Sequence, residues 1–295
     1  MKGASNERRF YSSGQVSSLE GEGGEDMLHR LASTTNGYKG SSLERALQGI
    51  ALVGLKYVEL ASIPGHCEHI IPEKMGKAEL AQLKSTLTDY GLEAVSISGH
   101  VDLTSAIGVE ALKRRIGLAS ELEVTIVNTG TGEVETDESR EFFFRNMLDV
   151  AKYAGSRGVT IALETHGGLT GTGPDCLATL ERIGSEWVRI NYDPANVIYY
   201  RGVAPEEDIK VIAPYLAHFH IKDQIGGKGV PMFPPIGQGI VDFRTIFTYL
   251  ETIGYDGPLS FEVELDFSKP VTDPDEEDEA LRISIEYVRS LMDAN

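Results

Sequence analysis

The sequence predicts a single closed (β/α)8 barrel, the TIM-barrel architecture, and three observations predict it. From residue 29 onward, short β-rich runs alternate with longer segments of helical period, eight times in strict order. Strict alternation implies a parallel sheet, and eight units are the number that closes one. Within the later strands, bulky apolar residues alternate with small or polar ones, whereas a flat parallel sheet covered on both faces reads as continuous Val, Ile and Leu. The length, 295 residues, suits one barrel of ~250 residues with extensions. A doubly wound open sheet is the structural alternative. It usually carries G-x-G-x-x-G after its first strand, and none stands there.

The elements follow in order. Strands are expected at 30–35 (RLASTT), 56–61 (KYVELA), 94–99 (AVSISG), 124–129 (VTIVNT), 159–164 (VTIALE), 187–193 (WVRINYD), 216–221 (LAHFHI) and 258–264 (PLSFEVE). Each precedes a helix, at 42–53, 77–90, 107–121, 138–156, 174–184, 205–213, 242–253 and 276–292. In the fifth strand Val159, Ile161 and Leu163 share one face, and Thr160, Ala162 and Glu164 the other. The sixth opposes Val188, Ile190 and Tyr192 to Arg189, Asn191 and Asp193; the seventh opposes Ala217, Phe219 and Ile221 to Leu216, His218 and His220. The eighth opposes Leu259, Phe261 and Val263 to Ser260, Glu262 and Glu264. In a barrel the apolar face packs on the helices and the other face points inward. The inward polar residues fall late in their strands, at the C-terminal mouth where barrel enzymes keep their chemistry.

Composition bounds the rest. At 41% hydrophobic and 24% charged residues the chain can bury a full core, which excludes global disorder. Lys plus Arg is 27 against 45 Asp plus Glu, a formal charge of −18, so a nucleic-acid partner, which needs a basic footprint, is not expected. No apolar run reaches the ~18 residues of a membrane span. Cys67 and Cys176 are the only cysteines, which excludes a disulfide framework and makes a reducing cytoplasm the expected location.

Residues 1–27 are rich in Gly, Ser and Glu and read as a flexible tail, with the barrel domain over 28–295. Arg8-Arg9 lacks the apolar segment of an export signal. The acidic stretch Asp266 to Glu279 reads as a solvated loop, or alternatively as a lid over the mouth.

Four consecutive strands, the fifth to the eighth, each bring a potential metal ligand inward: Glu164, Asp193, His218 or His220, and Glu262 or Glu264. Three carboxylates facing one another in a low dielectric repel strongly. A divalent cation neutralises them and accepts a neutral imidazole. Mixed oxygen and nitrogen ligation suits Mn²⁺, Mg²⁺, Co²⁺ or Zn²⁺, with Mn²⁺ expected first. Each residue alone has an ordinary explanation: a strand-end Glu, a core histidine, an Asp-Pro turn. Their succession on adjacent strands is what points to a shared site.

The segments IALETHGG (161–168), INYDPANV (190–197), HFHIKD (218–223), PIGQGIVDF (235–243) and GYDGPLSFEVE (254–264) resemble the xylose isomerase-like barrel superfamily. That group holds sugar isomerases, sugar epimerases, inosose dehydratases and endonuclease IV. The resemblance covers about residues 29 to 292 and is carried by the last half. It implies metal ligands Glu164, Asp193, His220 and Glu262, selecting His220 by the hydrophobic-Lys-Asp step after it and Glu262 by the GYDG run before it. It implies Glu164 and Glu262 as the catalytic pair. It also implies a small carbohydrate or polyol substrate and a homo-oligomer. Where epimerases place a substrate-binding His three residues after the metal Asp, this chain has Asn196. An Arg that some epimerases carry six residues past the metal His is replaced by Gly226.

The chemistry expected is proton abstraction next to a carbonyl, with a cation stabilising the enediolate and the two glutamates as acid and base. His166, two residues past Glu164, continues its inward face as a candidate substrate donor, and His100 follows the inward Ser96 and Ser98. Lys222 is a candidate for a substrate oxygen or a partner for Asp223. Glu59 faces inward by count, with Arg189 as its expected partner. His66, Cys67 and His69 form a cluster that lacks a second ligand pair for tetrahedral zinc. The GQG of 237–239 is expected to shape a loop, and Trp187 to pack in the core. The leading function is a metal-dependent sugar or polyol isomerase or epimerase. The alternatives are a lyase or dehydratase on a keto-polyol, an endonuclease IV-like repair enzyme, and a non-catalytic sugar-binding barrel. The charge and the seven histidines weigh against the repair enzyme.

Overall fold

The computed structural model describes residues 30–265 and 273–292. Eight parallel strands close on themselves: β1 (Leu31–Thr34), β2 (Tyr57–Ile63), β4 (Glu93–Ser98), β5 (Ile126–Thr129), β6 (Thr160–Glu164), β7 (Val188–Tyr192), β8 (Leu216–Ile221) and β9 (Leu259–Phe261). Closure is made by β1, which pairs with β9 through Leu31↔Leu259 and with β2 through Ala32↔Tyr57. A short β3 (Cys67–Glu68) folds back antiparallel on the end of β2. The outer layer is α1 (Leu43–Leu52), α2 (Lys77–Asp89), α3 (Ala106–Glu121), α4 (Asp137–Arg157), α5 (Gly173–Ile183), α6 (Pro194–Arg201), α7 (Pro205–Ile212), α8 (Phe243–Thr252) and α9 (Pro274–Met292).

Helix starts are set by local chemistry. Ser42, Ser105, Thr136, Thr172 and Asp242 each cap a helix by accepting a backbone N–H from its first turn. Gly158 (φ 66°) and Gly184 (φ 64°) end α4 and α5 in the left-handed region that only glycine enters without strain. The core lies between the outward strand residues (Val159, Ile161, Leu163, Ile190, Phe219, Phe261) and the helices, whose Leu47, Ile116, Met147, Ile209 and Phe247 are buried against them.

Three expectations are corrected. The sequence reading has no helix between 184 and 205, because Asp193-Pro194 reads as a turn. In the structure Asp193 is the N-cap of α6 and Pro194 its first residue, where a missing N–H costs nothing. The eighth barrel strand ends at Phe261 rather than 264, so Glu262 and Glu264 stand on the segment leaving the ladder. Of the acidic stretch read as a loop or lid, 274–279 is helical. Asp275, Glu276 and Glu277 occupy the first turn of α9, where carboxylates favour the positive end of the helix dipole. Residues 266–272 and the 1–27 tail lie outside the described residues.

Candidate active site

The site is built where β6 to β9 deliver their last inward residues. Glu164 ends β6 and His220 is the last inward residue of β8. Asp193 follows β7 and is held by two backbone contacts. Its N–H donates to Thr165 Oγ1 at 2.7 Å, and its Oδ1 accepts the Asn196 N–H at 3.0 Å. Glu262 follows β9. All four are buried. One ligand atom from each of Glu164, Asp193, His220 and Glu262 lies within 4.8 Å of the others. His220 Nδ1 is the hub, 2.8 Å from Glu164 Oε1 and 3.2 Å from Glu262 Oε2.

The electrostatics are those of a crowded anionic cage. Burial pushes the Asp193 carboxyl well above its ordinary range, and Glu262 and Glu164 push it further, against the pull of Lys222. Burial also raises Glu164, but His100 and His220 outweigh it, and its carboxyl falls well below the usual range. Burial lowers His220, yet Glu262, Glu59 and Glu164 together lift it well above the usual histidine value. Asp193 Oδ2 is buried without a hydrogen-bond partner. A buried carboxylate oxygen left unpaired beside two more carboxylates and an imidazole is the donor set a divalent cation completes, so the residues fit such an ion.

His218 is a different kind of histidine. Its Nδ1 lies 2.9 Å from Asn191 Oδ1, and its Nε2 lies 3.0 Å from the hydroxyls of both Ser96 and Ser260. Burial pushes it down to about 4, so it stays neutral at neutral pH. Glu59 sits beneath the site, fully buried. It accepts from Asn128 Nδ2 at 2.8 Å and approaches His220 Nε2 at 3.2 Å. Burial alone would raise its pKa; His220 and His218 bring it down to about 2. The expected Glu59–Arg189 pair does not form. Arg189 enters β7 two residues before Asn191, at the opposite mouth, where it reaches the Pro214 carbonyl.

Above this floor lies a chamber of about 290 Å³. Glu164 and Glu262 line it, and so do His100, His166, Asn196 and Lys222. His100 Nε2 lies 2.9 Å from Glu164 Oε2, and His166 Nε2 lies 3.0 Å from the Tyr200 hydroxyl. Lys222 Nζ donates to Glu262 Oε2 at 3.1 Å and Glu264 Oε2 at 2.6 Å. Asp223, the other expected partner of Lys222, instead accepts the backbone N–H groups of Gln224, Gly237, Gly239 and Val241, which fixes the GQG loop. Asn36, His66, Tyr199, Tyr200 and Phe233 also line the chamber, and the sequence reading missed them there. His66 Nε2 reaches Glu264 at 3.6 Å while Cys67 and His69 stay with each other. Among the described residues these three form no metal-spaced group. Trp187 packs on Gly155 of α4.

A family model described as "Xylose isomerase-like TIM barrel" matches residues 47–291. L-ribulose 3-epimerase of Methylomonas sp. is 26% identical over 259 residues, covering 80% of this chain and 82% of that one. L-ribulose-5-phosphate 3-epimerase UlaE of Escherichia coli is 23% identical over 247 residues, covering 79% and 84%. Among solved structures, the xylose isomerase domain protein of Planctomyces limnophilus superimposes with a TM-score of 0.72 at 21% identity, over 89% of this chain and 96% of that one. With the closed barrel and the four gathered residues already in place, the family match over most of the chain shows that this protein belongs to the xylose isomerase-like TIM barrel family.

Proposed function

We propose that this protein is a divalent-cation-dependent isomerase or epimerase of a sugar or related polyol, in which Glu164 and Glu262 act as acid and base, taking a proton from a substrate carbon and returning one. The observation that carries this is the convergence of both glutamates on His220 Nδ1 from strands three apart, each through one oxygen. Their other oxygens face elsewhere: Glu164 Oε2 toward His100, Glu262 Oε1 toward Asn36 at 3.4 Å. In this reading the oxygen of each that meets His220 turns to the cation, and the other handles the proton. Glu164, Asp193, His220 and Glu262 would hold the cation, Mn²⁺ in this proposal. When bound, the cation supplies positive charge that stabilises the negative charge growing on substrate oxygens as the proton leaves. One glutamate removes the carbon-bound proton, and the other is placed to return one. His100 holds the outer oxygen of Glu164, and His166, Asn196 and Lys222 orient hydroxyls of the substrate.

The 3-epimerase names of the two relatives support epimerisation within this class. The Arg of some epimerases has no counterpart. Gly226 sits at φ 96° with Val230 packed against it, so no side chain extends from there. Self-association as a homo-oligomer in the cytoplasm belongs to the same proposal, and sedimentation velocity checks the assembly.

The test is deuterium exchange from D₂O into a recovered keto-sugar. Glu164→Gln and Glu262→Gln each lower the exchange rate by about 10²–10⁴-fold. If both variants keep wild-type turnover, the assignment is wrong. A product lighter by one water would instead identify the keto-polyol lyase that shares this first step.

A further inference from the structure

The chamber over the glutamates does not end at its own walls. His100, His166 and Tyr200 also border a second, outer lobe of about 750 Å³, open to solvent. The inner chamber is sized for one sugar. The outer lobe is more than twice as large and falls within the range that holds drug-sized ligands.

The lining of the lobe has two features. Its apolar part includes Val101, Val134 and Ile107, the last 83% exposed at the start of α3. Its charged part is acidic: Asp102, Glu133 and Glu135. Among the described residues no arginine lines either space, and the lysine that does, Lys222, is held by Glu262 and Glu264. The amide donors beside the α3 N-terminus are also in use. Asp102 Oδ1 accepts the Thr104 N–H at 3.0 Å and the Glu133 N–H at 3.3 Å, and Ser105 Oγ accepts the Gly108 N–H at 3.0 Å. A phosphate ester brings up to two negative charges and needs charge-assisted donors to replace its water. It would meet three carboxylates here.

We infer that the substrate is an uncharged keto-sugar bearing an apolar-faced substituent, with its sugar at Glu164 and Glu262 and its substituent in the lobe beside Ile107 and Val134. This rests on the proton-transfer reading above, and it separates this protein from enzymes of sugar phosphates. His100 and His166 stand at the junction, where they touch the sugar on one side and admit its substituent on the other.

The experiment measures binding and chemistry separately on the full chain loaded with Mn²⁺. Isothermal titration compares D-fructose, D-fructose 6-phosphate, and the 1-O-benzyl and 6-O-benzyl ethers of D-fructose. The expected result is that one benzyl ether binds at least ~10-fold more tightly than D-fructose and the phosphate more weakly than D-fructose. Ile107→Asp, a change at an exposed position, is expected to erase most of the benzyl advantage. The inference is overturned if the phosphate binds more tightly than D-fructose, if neither benzyl ether gains affinity, or if the gain survives Ile107→Asp intact. Deuterium exchange is read on the same four compounds. Silence with all four would sink the proton-transfer reading, while the order of affinities still decides the substrate class.

Discussion

His220 stands between two sets of carboxylates, and that position decides which of its nitrogens does what. Nδ1 faces Glu164 and Glu262, while Nε2 faces Glu59 at 3.2 Å from below. An imidazole that gives one nitrogen to a cation keeps its proton on the other, and a buried carboxylate there fixes the tautomer and the ring plane. In the proposed cation site Glu59 would position the ring rather than touch the cation. Glu59→Gln keeps the volume and the contact with Asn128 but removes the charge. It is expected to weaken Mn²⁺ binding by about 10- to 100-fold, read by competition with a chelator, with an unchanged far-ultraviolet circular dichroism spectrum. Unchanged affinity would mean that the ring is held by packing alone. The inward position of Glu59 is readable from the period of its strand; its partner is not. Period two gives the face of a residue but not its height along the barrel, so Arg189 and Glu59 look adjacent in sequence logic, yet Glu59 lies buried beneath the site and Arg189 at the opposite mouth. The same limit explains Asn36, His66, Tyr199, Tyr200 and Phe233. They reach the chamber from turns, loops and the extra helix α6, whose path no periodicity records.

Among the elements, α9 and the turn after β1 depend on each other. Asn36 donates to Glu264 at 2.7 Å from the 3₁₀ turn Thr35–Tyr38, and Glu277 of α9 is buried behind that turn. The approach is close enough that a Cβ on Gly37 would lie 2.3 Å from Glu277 Oε1. Burial raises the Glu277 carboxyl well above its ordinary 4.5, and Glu264 and Asp278 add to the effect. The folded protein thus holds a proton that the unfolded chain has lost. The stability from this neutral carboxyl is fully present below pH 4.5 and drains as pH rises toward the folded value, at about 1.4 kcal/mol per pH unit. Glu277→Gln removes that slope. Its melting temperature is expected to exceed that of the wild type at pH 7–8 and to lose this advantage near pH 4, measured by calorimetry across pH. Parallel curves for the two proteins would show that the group does not titrate on unfolding. The eight alternating helices were legible to within two residues from their helical period, and five of them also start at a Ser, Thr or Asp cap. Helix α6 escaped notice because its start signal, Asp-Pro, is also a turn signal.

At the scale of the whole barrel, the four gathered residues tie together neighbouring staves from β6 to β9. The sheet closes only if these staves stay in register, yet their inward ends carry three carboxylates within 4.8 Å of one another and of one imidazole. Without a cation, part of the folding free energy is spent on that crowding, and burial together with Glu262 and Glu164 pushes the Asp193 carboxyl toward its neutral form. A cation that binds the folded state alone stabilises it by about 2.7 kcal/mol at a concentration of 100 Kd. For a chain of 295 residues that corresponds to a rise in melting temperature of about 4–5 °C. Mn²⁺ added to chelator-treated protein is expected to produce this rise, and Asp193→Asn to diminish it strongly, since that residue owns the buried oxygen with no other partner. The Asn variant without cation should melt no lower than the wild type without cation, because it relieves the same repulsion. If Mn²⁺, Mg²⁺, Co²⁺ and Zn²⁺ all leave the melting temperature of the wild type unmoved, the carboxylates are reconciled by protons alone, and the barrel has no need of a metal to hold its mouth together.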